Sequence, residues 1–298
     1  MMAQPRLTDP LFFDLSTRVK LRVTGADRVR FLNGQITDDI RKATETRTVE
    51  ACVLTAKGKI DAHLFVHAET ESFLLDADPG LQSSLQARLE RYIIADDVEI
   101  ADVTGQLSIF HVINRDTPST SVSEKIISTN RLGAAGYDIW CDARQRDQIR
   151  AELAKNFQVC NDDCAEQLRI ERGIPRWGRE LTGDIIPVEA NLEQRCIDYE
   201  KGCYIGQEVI SRMKMSGQRN KQLCGLISLN NTALTPGMRL IASDGKDAGW
   251  ITSTTQSQER EIALGFVKRG FNSAGSRVDA LSAENARRPV EVVDLPFA

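Results

Sequence analysis

The sequence predicts an α+β protein of two or three domains that ends in a small β-rich domain. The chain has 298 residues, and a domain typically holds roughly 100–200 residues, so a lone small module is excluded. Residues 48–157 interleave short apolar strands with two amphipathic helices, which is typical of an α+β sandwich. From Leu223 onward, strand patterns alternate with turn residues and show no helical periodicity, which favours a barrel or sandwich.

The N-terminal region predicts a strand and then a helix. Apolar and charged residues alternate over residues 19–23, as in a strand with one buried face. Three apolar residues share one face of the helix that follows: Leu32, Ile36 and Ile40. A further helix begins after Asn161 and ends at Gly173, because glycine and the Ile174-Pro175 pair both stop helical geometry.

The middle and C-terminal regions are built mainly from strand patterns. The middle strands are VEACVLTA, AHLFVHA, SFLLDAD, DVEIADV, QLSIFHVI and GYDIWCD. A helix after Pro79 carries an apolar stripe of Leu81, Leu85, Leu89, Tyr92 and Ile93, and ARQRDQIRAELAKNF predicts a second helix. Residues 114–130 predict a solvated loop. The C-terminal strands are LCGLISL, TPGMRLIAS, DAGWITSTT, EIALGFVKR and PVEVVDL.

Composition excludes several classes of protein. Hydrophobic residues make up 41% and charged residues 27%, as in ordinary soluble domains. The formal net charge of −4 lacks the general basic field that drives nonspecific nucleic-acid binding. No window approaches the ~18 apolar residues of a membrane span, and the N-terminus has no signal-peptide run, so we expect a cytoplasmic protein. The seven cysteines are expected to be mostly reduced thiols.

The segment KGCYIGQE, residues 201–208, has the most unusual composition in the chain. It places a thiol, a phenol, an amide, a carboxylate and an ammonium group around two glycines. Glycine permits backbone conformations that other residues avoid, so a loop here could bring Cys203 close to a ligand. A buried cysteine that acts as a small hydrophobe is the alternative, and residue types alone leave both open.

Within RIERGIPRWGREL, residues 169–181, Glu171 lies at the end of the helix predicted after Asn161. A carboxylate at a helix C-terminus faces the negative pole of the helix dipole, so it is unfavourable without a partner. An ionised carboxylate accepts two parallel hydrogen bonds, which suits the edge of a pterin or guanine ring. A salt bridge to Arg169, Arg172 or Arg176 satisfies the sequence equally well.

The sequence predicts no metal site. Cys160 and Cys164 are spaced i, i+4, but no second ligand pair follows them at metal-binding spacing. His63 and His67 share one face of a predicted strand, and no neighbouring Glu or Cys completes a ligand set. P-loop, GxGxxG and nucleophile-elbow motifs are also missing from the sequence.

Taken together, these segments resemble the folate-binding family that contains the glycine-cleavage T-protein and the YgfZ-type iron–sulfur maintenance proteins. The resemblance extends over most of the chain, and KGCYIGQE is specific to the YgfZ-type branch. Six segments carry it: VTGADRVRFLNGQITDDI, VLTAKGKIDAHLFV, RIERGIPRWGREL with IPVEANLE, KGCYIGQEVISRM, GWITSTT and ALGFVKR.

The resemblance implies a three-domain, T-protein-like ring around a central opening. The discontinuous first domain, which binds folate, would comprise residues 1–47 and 160–218. A ferredoxin-like α/β sandwich would occupy residues 48–159, and a small β-barrel would occupy residues 219–298. Tetrahydrofolate, or a reduced derivative of it, would bind near the opening.

The resemblance also assigns site residues. Glu171 would hold the pterin, and Cys203 is the signature cysteine of the branch. Four further residues are expected at the cofactor: Lys201, Tyr204, Gln207 and Arg212, with Lys201 or Arg212 on the folate carboxylates. The family's aminomethyltransferases have two adjacent aspartates where this chain reads GKIDAH, so Asp61 is only a reserve catalytic residue.

The function implied is that of a tetrahydrofolate-binding protein that supports assembly or repair of iron–sulfur enzymes, including radical enzymes that modify tRNA. Its partners would be those client enzymes and folate, with no direct nucleic-acid contact and no membrane. The signature cysteine would act on a cluster, a damaged client or a one-carbon unit. The alternatives are a folate-dependent aminomethyltransferase and a non-catalytic client-binding scaffold.

Overall fold

The computed structural model describes residues 10–114, 118 and 125–297. Residues 1–9, on which the expectation about targeting partly rests, lie outside the described residues, as does most of the predicted loop before residue 125. The chain forms two compact units: Met1–Asp162 with Gln194–Val209, and Asp163–Glu193 with Ile210–Ala298. The boundaries of the three predicted domains stay a prediction.

The described residues contain sixteen strands and six α-helices. The strands are β1 Leu11–Asp14, β2 Val19–Thr24, β3 Val49–Leu54, β4 Ile60–Ala68, β5 Phe73–Ala77, β6 Glu99–Asp102, β7 Leu107–Ile113, β8 Lys125–Thr129, β9 Gly136–Asp142, β10 Gln158–Val159, β11 Lys221–Ser228, β12 Arg239–Ile241, β13 Asp247–Ser257, β14 Arg260–Lys268, β15 Arg277–Leu281 and β16 Arg287–Val293. The helices are α1 Arg28–Gln35, α2 Leu85–Glu90, α3 Arg146–Leu153, α4 Asp162–Glu171, α5 Glu193–Cys196 and α6 Gln207–Ser216. Short 3-10 turns lie at Ile40–Lys42, Pro79–Leu81, Ala143–Gln145 and Pro187–Ala190.

The first unit contains two five-stranded sheets. Their strand orders are β3-β4-β5-β2-β6 and β10-β1-β7-β9-β8, with only the β1–β10 pair parallel. The predicted loop is wrong at its C-terminal end, because β8 pairs with β9 and buries Ile127 in an apolar cluster with Leu74 and Trp140. That burial depends on a partner strand, which local composition does not reveal.

Two helices are shorter than predicted. α1 ends at Gln35, and Ile36 is already extended, yet Leu32, Ile36 and Ile40 are all fully buried. The helix after Pro79 is a 3-10 turn and then α2, which ends at Glu90. Its first three apolar positions are buried as predicted, whereas Tyr92 lies beyond the helix end and is exposed.

The second unit contains a closed, antiparallel six-stranded barrel. The strand order is β11-β14-β13-β12-β15-β16, and β16 returns to pair with β11. Closure leaves no unpaired strand edge, and alternating side chains fill the interior. Leu226, Leu240, Ala263 and Val290 lie in that core. The predicted α+β class with a C-terminal barrel is therefore confirmed. No described helix has the length and apolarity that crossing a bilayer requires.

Candidate functional site

Residues 201–206 of the KGCYIGQE motif form a loop before α6, the Cys203 loop, which exposes the thiol, and Gln207 and Glu208 begin the helix. Of the five free cysteines among the described residues, Cys203 alone is exposed, and the other four are buried. Its neighbours Lys201 and Tyr204 are buried on either side of it. The alternative of a buried, hydrophobic Cys203 is therefore wrong, because the loop turns its flanking residues inward and the thiol outward.

Lys201 anchors this loop to the main chain of the first unit. Its Nζ donates hydrogen bonds to Ile36 O at 2.8 Å and to Asp38 O at 2.6 Å, and lies 5.3 Å from the centre of the Tyr204 ring. Burial lowers the pKa of Lys201 to about 8, against the opposing effect of Asp39 and other acidic neighbours. Two of the three Nζ donors are bound to carbonyls, so Lys201 holds the loop in place. Its contact with a folate carboxylate stays a prediction.

Two glycines let the Cys203 loop pack on the turn between β3 and β4. Gly206 has φ +84°, and a Cβ there would lie 2.6 Å from Thr55 O. Gly58, in that turn, has φ +71°, and a Cβ there would lie 2.8 Å from Val209 Cβ. Ile205 N also donates to Gly34 O at 3.2 Å. The close backbone approach explains why glycine occupies these two positions.

Asp61 lies at a β-bulge of β4. Val53 pairs with Ala62 and Leu54 pairs with Ile60, so Asp61 has no residue opposite it on β3. A bulge redirects its side chain, and the Asp61 carboxylate accepts a hydrogen bond from Arg88 Nε at 2.7 Å. Arg88 also donates to Leu54 O. The reserve catalytic residue is thus held in an ion pair.

The remaining motif residues differ in exposure. Tyr204 is buried, and burial raises the pKa of its phenol. Gln207 begins α6 and is half-buried, and Arg212 is exposed on the same helix. Whether these residues contact a cofactor stays a prediction.

Glu171 ends α4, as predicted, in a Schellman motif of the second unit. Gly173 has φ +68°, its N–H donates to Ile170 O, and Ile174 N donates to Arg169 O. The Glu171 carboxylate accepts a hydrogen bond from Gln167 Nε2 at 2.9 Å. Within the described residues no cation pairs with it, so the predicted salt-bridge alternative is wrong.

Two of the three arginines near Glu171, Arg169 and Arg176, pair with other acidic side chains. Arg169 is buried and donates to Glu180 Oε2 at 2.8 Å, to Glu166 Oε2 at 2.9 Å and to Ser253 Oγ at 2.5 Å. Ser253 Oγ in turn donates to the buried Glu180 at 2.7 Å. Arg176 pairs with Glu166 at 2.9 Å. This network stabilises the end of α4. Glu171 does not take part in it, and its carboxylate accepts from the neutral amide of Gln167.

Sequence reasoning missed a third group, the thiol cluster of Glu50, His63 and Cys196. His63 Nε2 lies 2.8 Å from Glu50 Oε1 and 3.8 Å from Cys196 Sγ. The expectation that no Glu or Cys accompanies His63 is therefore wrong. The pairing of β3 with β4 could have predicted this group. Cys52 lies directly opposite His63, and Glu50, two residues before Cys52, points to the same face of the sheet.

Burial and charge shift the pKa values in the thiol cluster. Burial raises the pKa of the Cys196 thiol well above its usual value, and the neighbouring Cys52 and Glu50 raise it further. Burial would lower the pKa of His63, but Cys196 and Glu50 outweigh it and raise the value to about 9. Since the thiol stays uncharged near neutrality, we attribute this rise to the Glu50 carboxylate. Arg195 lies 2.8 Å from the other oxygen of Glu50.

Each unit also holds a polar cavity. The cavity of about 310 Å³ in the first unit is lined by Glu50, Phe65 and Arg195 among others. The cavity of about 340 Å³ in the second unit is lined by residues that include Glu193, Arg219 and Arg269. Both have charged walls, as expected of sites for polar molecules.

Comparison with known proteins identifies the fold and several relatives. Residues 221–298 match the family described as the glycine cleavage T-protein C-terminal barrel domain. The structure superposes on the glycine cleavage system aminomethyltransferase T from Bartonella henselae with a TM-score of 0.85 and 18% identity, covering 97% of this chain and 86% of that one. These findings establish the T-protein fold.

Two curated relatives cover most of the chain. An aminomethyltransferase of Geobacillus sp. is 24% identical over 319 residues, covering 96% of this chain and 86% of the relative. The tRNA-modifying protein YgfZ of Yersinia enterocolitica is 28% identical over 255 residues, covering 79% of this chain and 77% of the relative. Together with the barrel match, these relatives show that the chain is similar to proteins of the T-protein type.

Proposed function

We propose that this protein is a YgfZ-type, tetrahydrofolate-binding protein that supports assembly or repair of iron–sulfur clusters in client enzymes, including radical enzymes that modify tRNA. The observation that carries the proposal is the exposed Cys203 between two buried anchors, Lys201 and Tyr204. A thiol held at the surface by a fixed backbone is accessible to a cluster or to a client protein. The similarity to a tRNA-modifying protein supports the same branch.

Glu171 fits the folate part of the proposal. Its side chain is half-buried and accepts a hydrogen bond from the neutral amide of Gln167, while Arg169 and Arg176 pair with other carboxylates. When bound, tetrahydrofolate would supply one-carbon chemistry. Glu171 would hold the pterin by accepting two hydrogen bonds from its edge.

Calorimetry with tetrahydrofolate tests the role of Glu171. Loss of a charged acceptor in Glu171→Gln should weaken binding by about 10- to 100-fold, since a charge-assisted hydrogen bond contributes ~1.5–3 kcal/mol. Glu90→Gln is the matched control, because Glu90 also ends a helix and accepts from a glutamine four residues earlier, Gln86. Equal affinity in the two variants would reject the pterin contact.

Complementation tests the role of Cys203. In cells that lack the protein, Cys203→Ser should fold and bind folate but fail to restore the activity of iron–sulfur enzymes. Ser216→Cys in the Cys203→Ser background is the control, because it returns an exposed thiol to the surface at the end of α6. Full rescue by Cys203→Ser would show that the thiol is not functional.

Aminomethyl transfer is the second candidate function, favoured by the similarity to aminomethyltransferases. It requires an acid free to act on the reacting group, whereas Asp61 is paired with Arg88. Turnover of an aminomethyl donor with tetrahydrofolate, lost in Asp61→Asn, would establish this candidate. Folate binding without turnover would favour the maintenance role.

A further inference from the structure

The thiol cluster brings three different metal-binding groups to one point. The Glu50 oxygen, the His63 nitrogen and the Cys196 sulfur all lie within 4.8 Å of one another. We infer that this cluster binds a single divalent transition-metal ion, with Zn²⁺ as the ion its mixed O, N and S donors favour. The cluster uses neither Cys203 nor Glu171, and the inference does not depend on the proposed function.

The arrangement differs from that of a catalytic triad. In a thiol–imidazole–carboxylate triad, the thiol and the carboxylate contact opposite nitrogens of the imidazole, so that a proton moves between them. Here Glu50 and Cys196 both face the same nitrogen, Nε2 of His63. One nitrogen cannot serve both as relay partners, whereas a shared cation satisfies all three groups.

The separations suit tetrahedral coordination. With Zn–N near 2.0–2.1 Å and Zn–S near 2.3 Å, tetrahedral ligands lie about 3.5 Å apart for N and S and about 3.3 Å apart for N and O. The observed distance between Cys196 Sγ and His63 Nε2 is 3.8 Å. His63 and Glu50, at 2.8 Å, would separate by about half an ångström as the ion enters.

The surroundings support the site. Cys52 lies opposite His63 on the paired strand but is not one of the three grouped ligands, so a water molecule would fill the fourth position of a tetrahedral ion. Arg195 binds the far oxygen of Glu50 and leaves Oε1 directed at the cluster, as outer-shell partners of metal-bound carboxylates do. With the Cys196 thiol and Glu50 ionised, two negative charges balance the dication.

An ion has a route to the site. Both cysteines are fully buried, but the Glu50 and His63 side chains keep about a tenth of their surface exposed. Glu50 and Arg195 also line the cavity of about 310 Å³ in the first unit. The bound ion would link β3 and β4 to α5, seven residues before Cys203, and would hold that segment more firmly.

Titration of the reduced, metal-free, full-length protein with Co²⁺ and Zn²⁺ tests this inference. We expect one equivalent of Co²⁺ to bind with intense near-ultraviolet absorption, the signature of thiolate ligation, and Zn²⁺ to displace it. Cys196→Ser and His63→Gln should weaken binding by more than the roughly 10- to 100-fold typical of losing an outer-shell partner. Cys203→Ser and His67→Gln are the matched controls and should bind as the wild type does.

A measurement on the wild type keeps the inference testable if the buried variants do not fold. Zn²⁺ should protect Cys196 from alkylation in mild denaturant, as read by mass spectrometry, while Cys203 reacts fully. The inference is overturned if no saturable binding occurs, if Co²⁺ binds without thiolate absorption, or if binding is lost in Cys203→Ser and kept in Cys196→Ser.

Discussion

Some ionisable side chains of this protein are buried at positions where the strand pattern predicts exposure to solvent. Lys20 alternates with apolar residues in β2, yet it is fully buried and donates from Nζ to Ser16 O and Arg18 O. Lys201 is buried in the same way. Alternation predicts the exposed face of a strand, but it does not reveal carbonyl oxygens that accept from a buried ammonium group.

His67 should make the protein less stable as the pH falls. Burial lowers the pKa of His67 to about 4, although Asp138 and Asp76 act to raise it. Its Nε2 has no hydrogen-bond partner among the described residues. Because the folded pKa lies below the usual 6.5, its contribution to stability is present above pH 6.5 and is lost as the pH falls towards 4, a change of about 3 kcal/mol.

Urea unfolding between pH 6.5 and 4 measures this effect. His67→Phe keeps a ring beside Trp140 and should flatten the fall in the free energy of unfolding over that window. Above pH 6.5 both proteins should lose stability together as the pH rises towards 9, because the raised pKa of His63 is unchanged. An equally steep acid loss in His67→Phe would assign the effect to other groups.

The ends of helices and strands were predicted correctly where glycine, proline or turn residues stop the element. Gly173 and Pro175 correctly predicted the end of α4, and turn residues correctly separated the barrel strands. The ends of α1 and α2 were wrong, because apolar residues continue past each helix and are buried by other elements. The bulge at Asp61 was also not predictable, since it depends on register with β3.

Two glycines of the Cys203 loop, Gly206 and Gly202, differ in how much room a side chain would have, so they form a matched pair for mutagenesis. Gly206→Ala forces a side chain at φ +84° against Thr55 O, whereas a Cβ at Gly202 meets nothing within 4 Å. We expect Gly206→Ala to lower the free energy of unfolding by about 2 kcal/mol or more, and Gly202→Ala to change it little. Hydrogen exchange at Ile205 N, bound to Gly34 O, should become faster only in Gly206→Ala.

At the scale of the whole molecule, the sequence predicted the fold better than it predicted the groups that meet in it. The α+β class and the barrel follow from periodicity, which each segment carries locally. The thiol cluster joins residues from β3, β4 and α5 that are up to 146 positions apart in the chain, and only strand register and loop packing bring them together. The exposure of the Cys203 thiol likewise depends on distant residues, because its buried neighbour Lys201 donates a hydrogen bond to Ile36 O.

Folate binding and the Cys203 thiol are separate in the proposed function, and thermal unfolding distinguishes them. A ligand at 100 times its Kd stabilises the folded state by about 2.7 kcal/mol, or about 4 °C in Tm for a chain of this length. We expect tetrahydrofolate to raise the Tm of the wild type and of Cys203→Ser equally. At the same concentration it should raise the Tm of Glu171→Gln clearly less, because about 10- to 100-fold weaker binding leaves only about 0.4–1.4 kcal/mol of stabilisation. The reason is that Glu171 would bind the pterin directly, whereas an exposed thiol would act on a client or a cluster. A smaller Tm rise in Cys203→Ser would place the thiol in the folate site and favour one-carbon transfer over cluster maintenance.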